Sequence, residues 1–109
     1  MRALYKAPED TKFRQILVPN DLHTLQELVG GGYIETVTAG VDPVVKLICN
    51  EEGVIRMDIE YNCVIRCKDT SGTFDCPFYG PILLVGADGD KFTDVPISVV
   101  MANKMIVEV

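Results

Sequence analysis

Apolar and polar residues alternate from Val54 to Lys68 with a period of two. Ile55, Met57, Ile59, Tyr61, Cys63, Ile65 and Cys67 fall on one parity, and Arg56, Asp58, Glu60, Asn62, Arg66 and Lys68 fall on the other. Successive strand residues point to opposite faces, so the spacing predicts one half-buried antiparallel strand with a charged outer side. At ~3.3 Å per residue that strand would run about 45 Å, longer than most, which predicts a bend or bulge near Tyr61 and Asn62.

The rest of the chain predicts elements arranged around this ribbon. Met1 to Lys6 and Lys12 to Val18 read as an opening hairpin about the loop Ala7 to Thr11. Pro19 closes it, and Asn20 or Asp21 caps a helix from about Asp21 to Val29 with the stripe Leu22, Leu25, Leu28 and Val29. Gly30, Gly31 and Gly32 end that helix. A strand over Tyr33 to Thr38 leaves through Gly40, Asp42 and Pro43. Val44 to Asn50 then forms a hairpin with the long strand, Asn50 facing Val54 and Lys46 facing Asp58 across the loop Glu51, Glu52 and Gly53. Thr73 to Tyr79 carries Phe74, Cys76 and Phe78 on one side, and face matching predicts Cys67 opposite Cys76 and Ile65 opposite Phe78. Pro77 marks this strand as an edge. Ile82 to Val85 is a short buried strand, and Gly86 to Asp90 form a turn. Thr93 or Asp94 caps a second short helix entered at Pro96, with Ile97, Val100 and Met101 on it, and Met105 to Val109 reads as a closing strand. The expected fold is α+β: a single domain over residues 1–109, with a mostly antiparallel sheet around a long central strand. One short helix follows the N-terminal hairpin and a second lies near the C-terminus.

Composition narrows the setting. With 109 residues and 48% hydrophobic content, one core forms without metal or disulfide staples. No apolar run approaches ~18 residues and no basic, greasy leader is visible, so we expect a soluble chain with no membrane partner. A formal net charge of -6 argues against duplex nucleic acid as a partner. Cys49, Cys63, Cys67 and Cys76 follow no zinc spacing and fall on apolar strand faces, where they read as reduced, buried small hydrophobes. Neither a metal nor a cofactor is expected.

The search for chemistry is mostly negative. His23 is the only histidine and stands on the exposed side of the first helix without a nucleophile beside it. Glu51 and Glu52 sit at a hairpin tip, where water solvates them. No catalytic residue is assigned, and the chain is expected not to be an enzyme. The informative feature is the outer side of the long strand, where Arg56, Asn62, Arg66 and Lys68 stand together. Guanidinium forks on a rigid sheet suit a phosphate or carboxylate, and Tyr33 and Tyr79 offer rings for a base to stack on. The competing reading is a solvated face of cross-strand ion pairs, diluted by Asp58 and Glu60. The candidate ligand-binding set is Arg56, Arg66, Lys68, Tyr33 and Asn62. A homo-oligomer is expected, because a chain this short has little room for a deep pocket beside its core.

Three stretches carry a resemblance: LQELVGGGYIE over Leu25 to Glu35, ICNEEG over Ile48 to Gly53, and GPILLVGADGDKFTDVP over Gly80 to Pro96. Together they resemble the small domain-of-unknown-function family numbered thirty-eight forty-six, carried by phages, plasmids and other mobile elements, across nearly the whole chain. Gly30, Tyr33, Glu35, Asn50, Glu51, Glu52, Gly53 and Asn62 correspond position by position, and most read as caps and turns. This chain departs from the pattern by an extra glycine at 30–32, an Arg-rich strand where the family often has a loop around its Asn, and a terminal strand after Asn103. The resemblance implies an accessory protein in the cytoplasm of an infected bacterium, where such domains blunt host defences. From it we expect a non-enzymatic binder of a small anionic nucleotide, sequestering an immune signal. The alternative is an inhibitor of a host defence protein such as a restriction or nuclease component. No reaction comes with the family, so no catalytic residue is carried over.

Overall fold

The computed structural model describes residues 1–109. Nine strands and two helices follow one another as β1 (Arg2–Lys6), β2 (Arg14–Leu17), α1 (Leu22–Leu28), β3 (Ile34–Val41), β4 (Val44–Asn50), β5 (Tyr61–Asp69), β6 (Gly72–Tyr79), β7 (Ile82–Asp88), β8 (Lys91–Thr93), α2 (Val99–Lys104) and β9 (Ile106–Glu108). The fold is α+β, and every strand pair is antiparallel. There are two sheets. A six-stranded sheet runs β2-β1-β7-β4-β3, with β8 also pairing with β7, and a three-stranded sheet runs β6-β5-β9. No helix is long and apolar enough to cross a membrane.

Alternation along each strand divides the core in two. In β1, Ala3 joins Val18, Leu25, Val29, Ile48, Leu83 and Val85 under α1, while Leu4 points the other way. There it meets Leu47, Cys63, Ile65, Cys67, Phe78, Ile82 and Leu84 in the layer between the sheets. The large sheet is therefore covered on both faces, and β7 at its centre reads as the continuous apolar run Ile82, Leu83, Leu84 and Val85, all fully buried. Asp21 caps α1, accepting the Thr24 amide at 2.8 Å, and this bond holds the Asp21 carboxyl below its usual range. Gly30, Gly31 and Gly32 all take positive φ, the conformation a side chain resists, and they turn the chain back toward β3.

The long ribbon is the main correction. Residues 51–60 form turns, closed by bonds such as Arg56 N to Glu52 O at 2.9 Å, and the strand begins only at Tyr61. Ile55 is 76% exposed and Met57 wholly so, although both sit on the apolar parity. The cause is topological. Both sides of β4 are occupied, by β3 and β7, so the chain leaving Asn50 has no edge to pair with and must cross to the other sheet. Lys46 accordingly faces Thr38 and donates to its hydroxyl at 2.7 Å, while Asp58 pairs with Arg56. The bulge expected near Tyr61 and Asn62 is present between Tyr61 and Cys63.

Smaller shifts follow the same logic. β5 and β6 keep the matched faces, but the turn is tighter by two residues, so Cys67 faces Phe74 and Ile65 faces Cys76. Pro77 does lie on an edge strand. The turn after Val85 comes later, because β7 continues to Asp88 and folds back as β8. The second helix is capped by Ser98, whose hydroxyl accepts the Met101 amide at 3.2 Å; Asp94 instead accepts the Arg2 amide at 2.7 Å.

Gly86 marks the tightest crossing in the large sheet. A Cβ there would lie 2.5 Å from the Asp94 carbonyl oxygen and 2.6 Å from the Thr93 hydroxyl. Gly86→Ala should cost about 1–3 kcal/mol, or roughly 4–8 °C of melting temperature per kcal/mol, by thermal denaturation. An unchanged melting point would mean that the β8 return yields without strain.

Candidate functional site

β5 is where the candidate cations meet a cavity. Its odd positions Cys63, Ile65 and Cys67 are buried between the sheets, which leaves Arg66 and Lys68 on the opposite, exposed side. Both border a cleft of about 240 Å³ between the β3–β4 turn, β5 and α2. Its apolar wall is Val41, Pro43, Val45, Ile97, Met101 and Met105, and Asp42 stands at the rim. Ordinary ligand pockets run ~300–1,000 Å³, so this cleft covers only part of a nucleotide-sized molecule.

Arg66 donates Nε to Asp75 Oδ1 at 2.9 Å and Nη2 to Asp75 Oδ2 at 3.1 Å. That fork holds the Asp75 carboxyl below its usual range and pushes Arg66 up. The pair presents the guanidinium edge-on, with Nη1 and one Nη2 hydrogen still unengaged. Lys68 makes no ion pair.

The other three candidates lie elsewhere. Arg56 is on the crossing segment, where Nη1 donates to the carbonyls of Gly30 at 3.2 Å and Gly31 at 3.1 Å, and the other nitrogens clasp Asp58. The Asp58 carboxyl is held low by that bond, and Arg56 is raised by it. It edges a separate depression of about 240 Å³ with Glu9, Asp58 and Glu60, whose acids outnumber it. Tyr33 is exposed at the start of β3, and Tyr79 is engaged edge-on with Tyr61 at 5.6 Å. Asn62 does not stand on the outer face. The bulge turns it inward, leaving 1% of it exposed, and its amide donates to the carbonyls of Lys6 at 2.9 Å and Gly80 at 2.8 Å. Its carbonyl accepts from Lys6 Nζ at 2.5 Å.

Lys6 is the residue that sequence reasoning passes over. It is fully buried, with its Nζ on the neutral Asn62 amide. The available signal was its even parity in β1 with Leu4, which puts it on the inward face of a strand otherwise read as a simple hairpin arm. Asn50 acts similarly, donating to the Val29 carbonyl at 3.2 Å and the Gly31 carbonyl at 2.6 Å and so fastening the glycine turn to β4.

The largest cavity, about 480 Å³, lies beside α1 between Asn20, Leu22 and the β7–β8 turn. Asp88, Asp90 and Lys91 there give mixed charge with no direction, so it makes a poorer anion site than the smaller cleft. Cys49 and Cys67 are each pushed up to about 12 and Cys63 and Cys76 upward as well, chiefly by burial, which leaves protonated thiols rather than nucleophiles. No group of His, Cys, Asp or Glu is placed to hold a metal ion.

Two facing antiparallel sheets, one helix on the outer face of the larger and a cation-edged cleft beside the smaller define a small α+β domain. The chain belongs to the family described as domain of unknown function (DUF3846), which matches residues 1–105. Comparison with curated proteins and with solved structures found no match.

Proposed function

We propose that this chain is a non-enzymatic binding domain for a small anionic ligand with a flat or apolar body, a nucleotide-derived signal being the class to test first. Its role is sequestration of that signal against a bacterial host's defences. The observation that carries the reading is the pairing of two exposed cations, Arg66 and Lys68, with an apolar cleft in a chain whose overall net charge is -6. A negative protein repels anions at long range, so local cations with spare donors are what an anion would seek.

The test is thermal. A panel of cyclic, linear and ADP-ribose-type nucleotides should contain one that raises the melting temperature. At a hundredfold excess over Kd, binding adds about 2.7 kcal/mol, on the order of 10 °C or more for a domain this size. Heating the complex should return the ligand intact, and a chemically altered ligand would replace sequestration with catalysis. Arg66→Glu with Lys68→Glu should remove the shift and leave the ligand-free melting point within a few degrees, because both side chains are exposed.

A second reading is inhibition of a host defence protein. It is favoured by the crossing segment, where Val54, Ile55 and Met57 are all more than three-quarters exposed. No shift across the panel, together with retention of one defence factor on the immobilised chain that is lost with Ile55→Asp and Met57→Asp, would select it.

A further inference from the structure

Arg56 and Tyr33 lie near the start of β3, while Arg66 and Lys68 lie beside its end, where Gly40 and Val41 form part of the cleft wall. One chain cannot bring the two sets together. The strand between them is also the longest edge strand free of Lys, Arg and Pro. β3 ends the large sheet and spans eight residues. The other edges are guarded: β6 carries Pro77, β2 is four residues long with Arg14, and β8 and β9 are three residues each.

We infer that the open edge of β3 pairs antiparallel with the same edge of a second copy, and that this pairing completes the cleft with Arg56 and Tyr33 of the partner subunit. Register follows from side-chain parity. Thr36 pairs with Ile48 on the helix side and Glu35 with Cys49 on the inter-sheet side, so a continuous sheet must place like parity opposite like. Centring on Glu35 would oppose two carboxylates, and centring on Val37 would run the ladder into the bulge between Thr38 and Gly40. Centring on Thr36 avoids both, with Glu35 facing Val37 and Ile34 facing Thr38. Continued by count, and allowing one residue for the bulge, this sets Gly40 and Val41 against Tyr33 and Gly32 of the partner subunit, next to the partner's Gly31. In each chain the Gly31 carbonyl holds Arg56. Arg56 of the partner subunit therefore arrives at the cleft wall, facing Arg66 and Lys68. A twofold axis makes two such sites.

The dimer stands on the edge strand alone, whereas the composite site rests on the ligand reading above, and the test separates them. Sedimentation of the full chain should give a dimer at micromolar concentration. Thr36→Lys, which sets two ammonium groups across the axis, should give a folded monomer with unchanged circular dichroism. Thr36→Cys should form an intermolecular disulfide on mild oxidation that the unsubstituted chain does not form, since directly paired strand residues lie within disulfide reach. A monomeric parent chain, a Thr36→Lys protein that stays dimeric, or no cross-link at position 36 would each overturn the pairing. For the composite site, Arg56→Ala and Arg66→Glu proteins should each fail to bind the nucleotide that stabilises the parent. Mixed and re-equilibrated, they should recover about a quarter of its sites, since one site of each mixed dimer is then intact. No recovery from the mixture would overturn the composite site, leaving a single-chain cleft; a dimer that binds no nucleotide would remove the ligand reading and leave the pairing standing.

Discussion

Asn62→Ala should be among the most damaging single substitutions in this chain. Lys6 is fully buried with its ammonium on the Asn62 amide oxygen, and the Asn62 amide nitrogen in turn satisfies the carbonyls of Lys6 and Gly80. Truncation to alanine strands a buried cation and two buried acceptors at once. Leaving a buried polar group without its partner costs about 1–3 kcal/mol, and more when the group is charged, so at roughly 4–8 °C per kcal/mol the melting temperature should fall by at least ~4 °C. Joint replacement, Lys6→Met with Asn62→Leu, removes the stranded charge and should recover part of the loss, which a simple packing defect would not allow. Because β1 and β5 belong to different sheets, this couple also fastens one sheet to the other. An Asn62→Ala protein melting within ~2 °C of the parent would show that the Lys6 ammonium has another partner or that the sheets do not depend on the couple.

Stability should also collapse at alkaline pH. Cys49 and Cys67 are pushed up to about 12 from an ordinary 9.0, first by burial, with Glu35 adding to Cys49 and the neighbouring Cys76 adding to Cys67. Below pH 9 both folded and unfolded chains hold these protons, and folding gains or loses nothing. Above it the unfolded chain releases them while the folded one keeps them, so the unfolded state binds fewer protons and stability falls as pH rises. Each thiol contributes about 1.4 kcal/mol per pH unit between 9 and 12, so the two together should remove on the order of 5 kcal/mol by pH 11. Tyr5 and Tyr61, both raised by burial, act in the same direction at higher pH. Urea denaturation midpoints measured under reductant from pH 7 to 11 should decline steeply above 9, and the Cys49→Ala, Cys67→Ala protein should decline less. Equal slopes for the two proteins would mean that these thiols titrate normally. The same burial should keep both sulfurs unreactive toward alkylating reagents until the chain unfolds.

The binding candidates show how a correct pattern can be attached to a wrong partner. Alternation from Tyr61 to Lys68 is real, and the odd parity does face inward, which is why Arg66 and Lys68 emerge together beside the cleft. Six residues earlier the same alternation means nothing, since residues 51–60 cross between sheets. A period of two records which residues tolerate a strand, not whether a neighbouring edge exists. Periodicity thus groups Arg56 with Arg66 on a ribbon that breaks between them. Asn62 falls in the same group by parity, although a one-residue bulge reverses its direction. The exposed Val54, Ile55 and Met57 mark the place where local pattern and tertiary demand disagree, and such disagreements are where surfaces for partners are found.

What the amino-acid sequence determined by itself is local: the opening hairpin, a helix capped at Asp21 and closed by three glycines, the buried run of β7, the edge at Pro77 and the α+β class they add up to. Caps, turns and parity depend on a few neighbouring residues, so they can be read in order along the chain. Which strand lies beside which was decided only in three dimensions. β4 takes β3 and β7 as neighbours and leaves β5 to build a second sheet with β6 and β9, and from that choice follow the crossing segment, the buried Lys6 and Asn62 couple and the separation of Arg56 from Arg66. Pairing between distant strands is set by which edges remain open and which faces must be covered, and neither is a property of any single stretch of sequence.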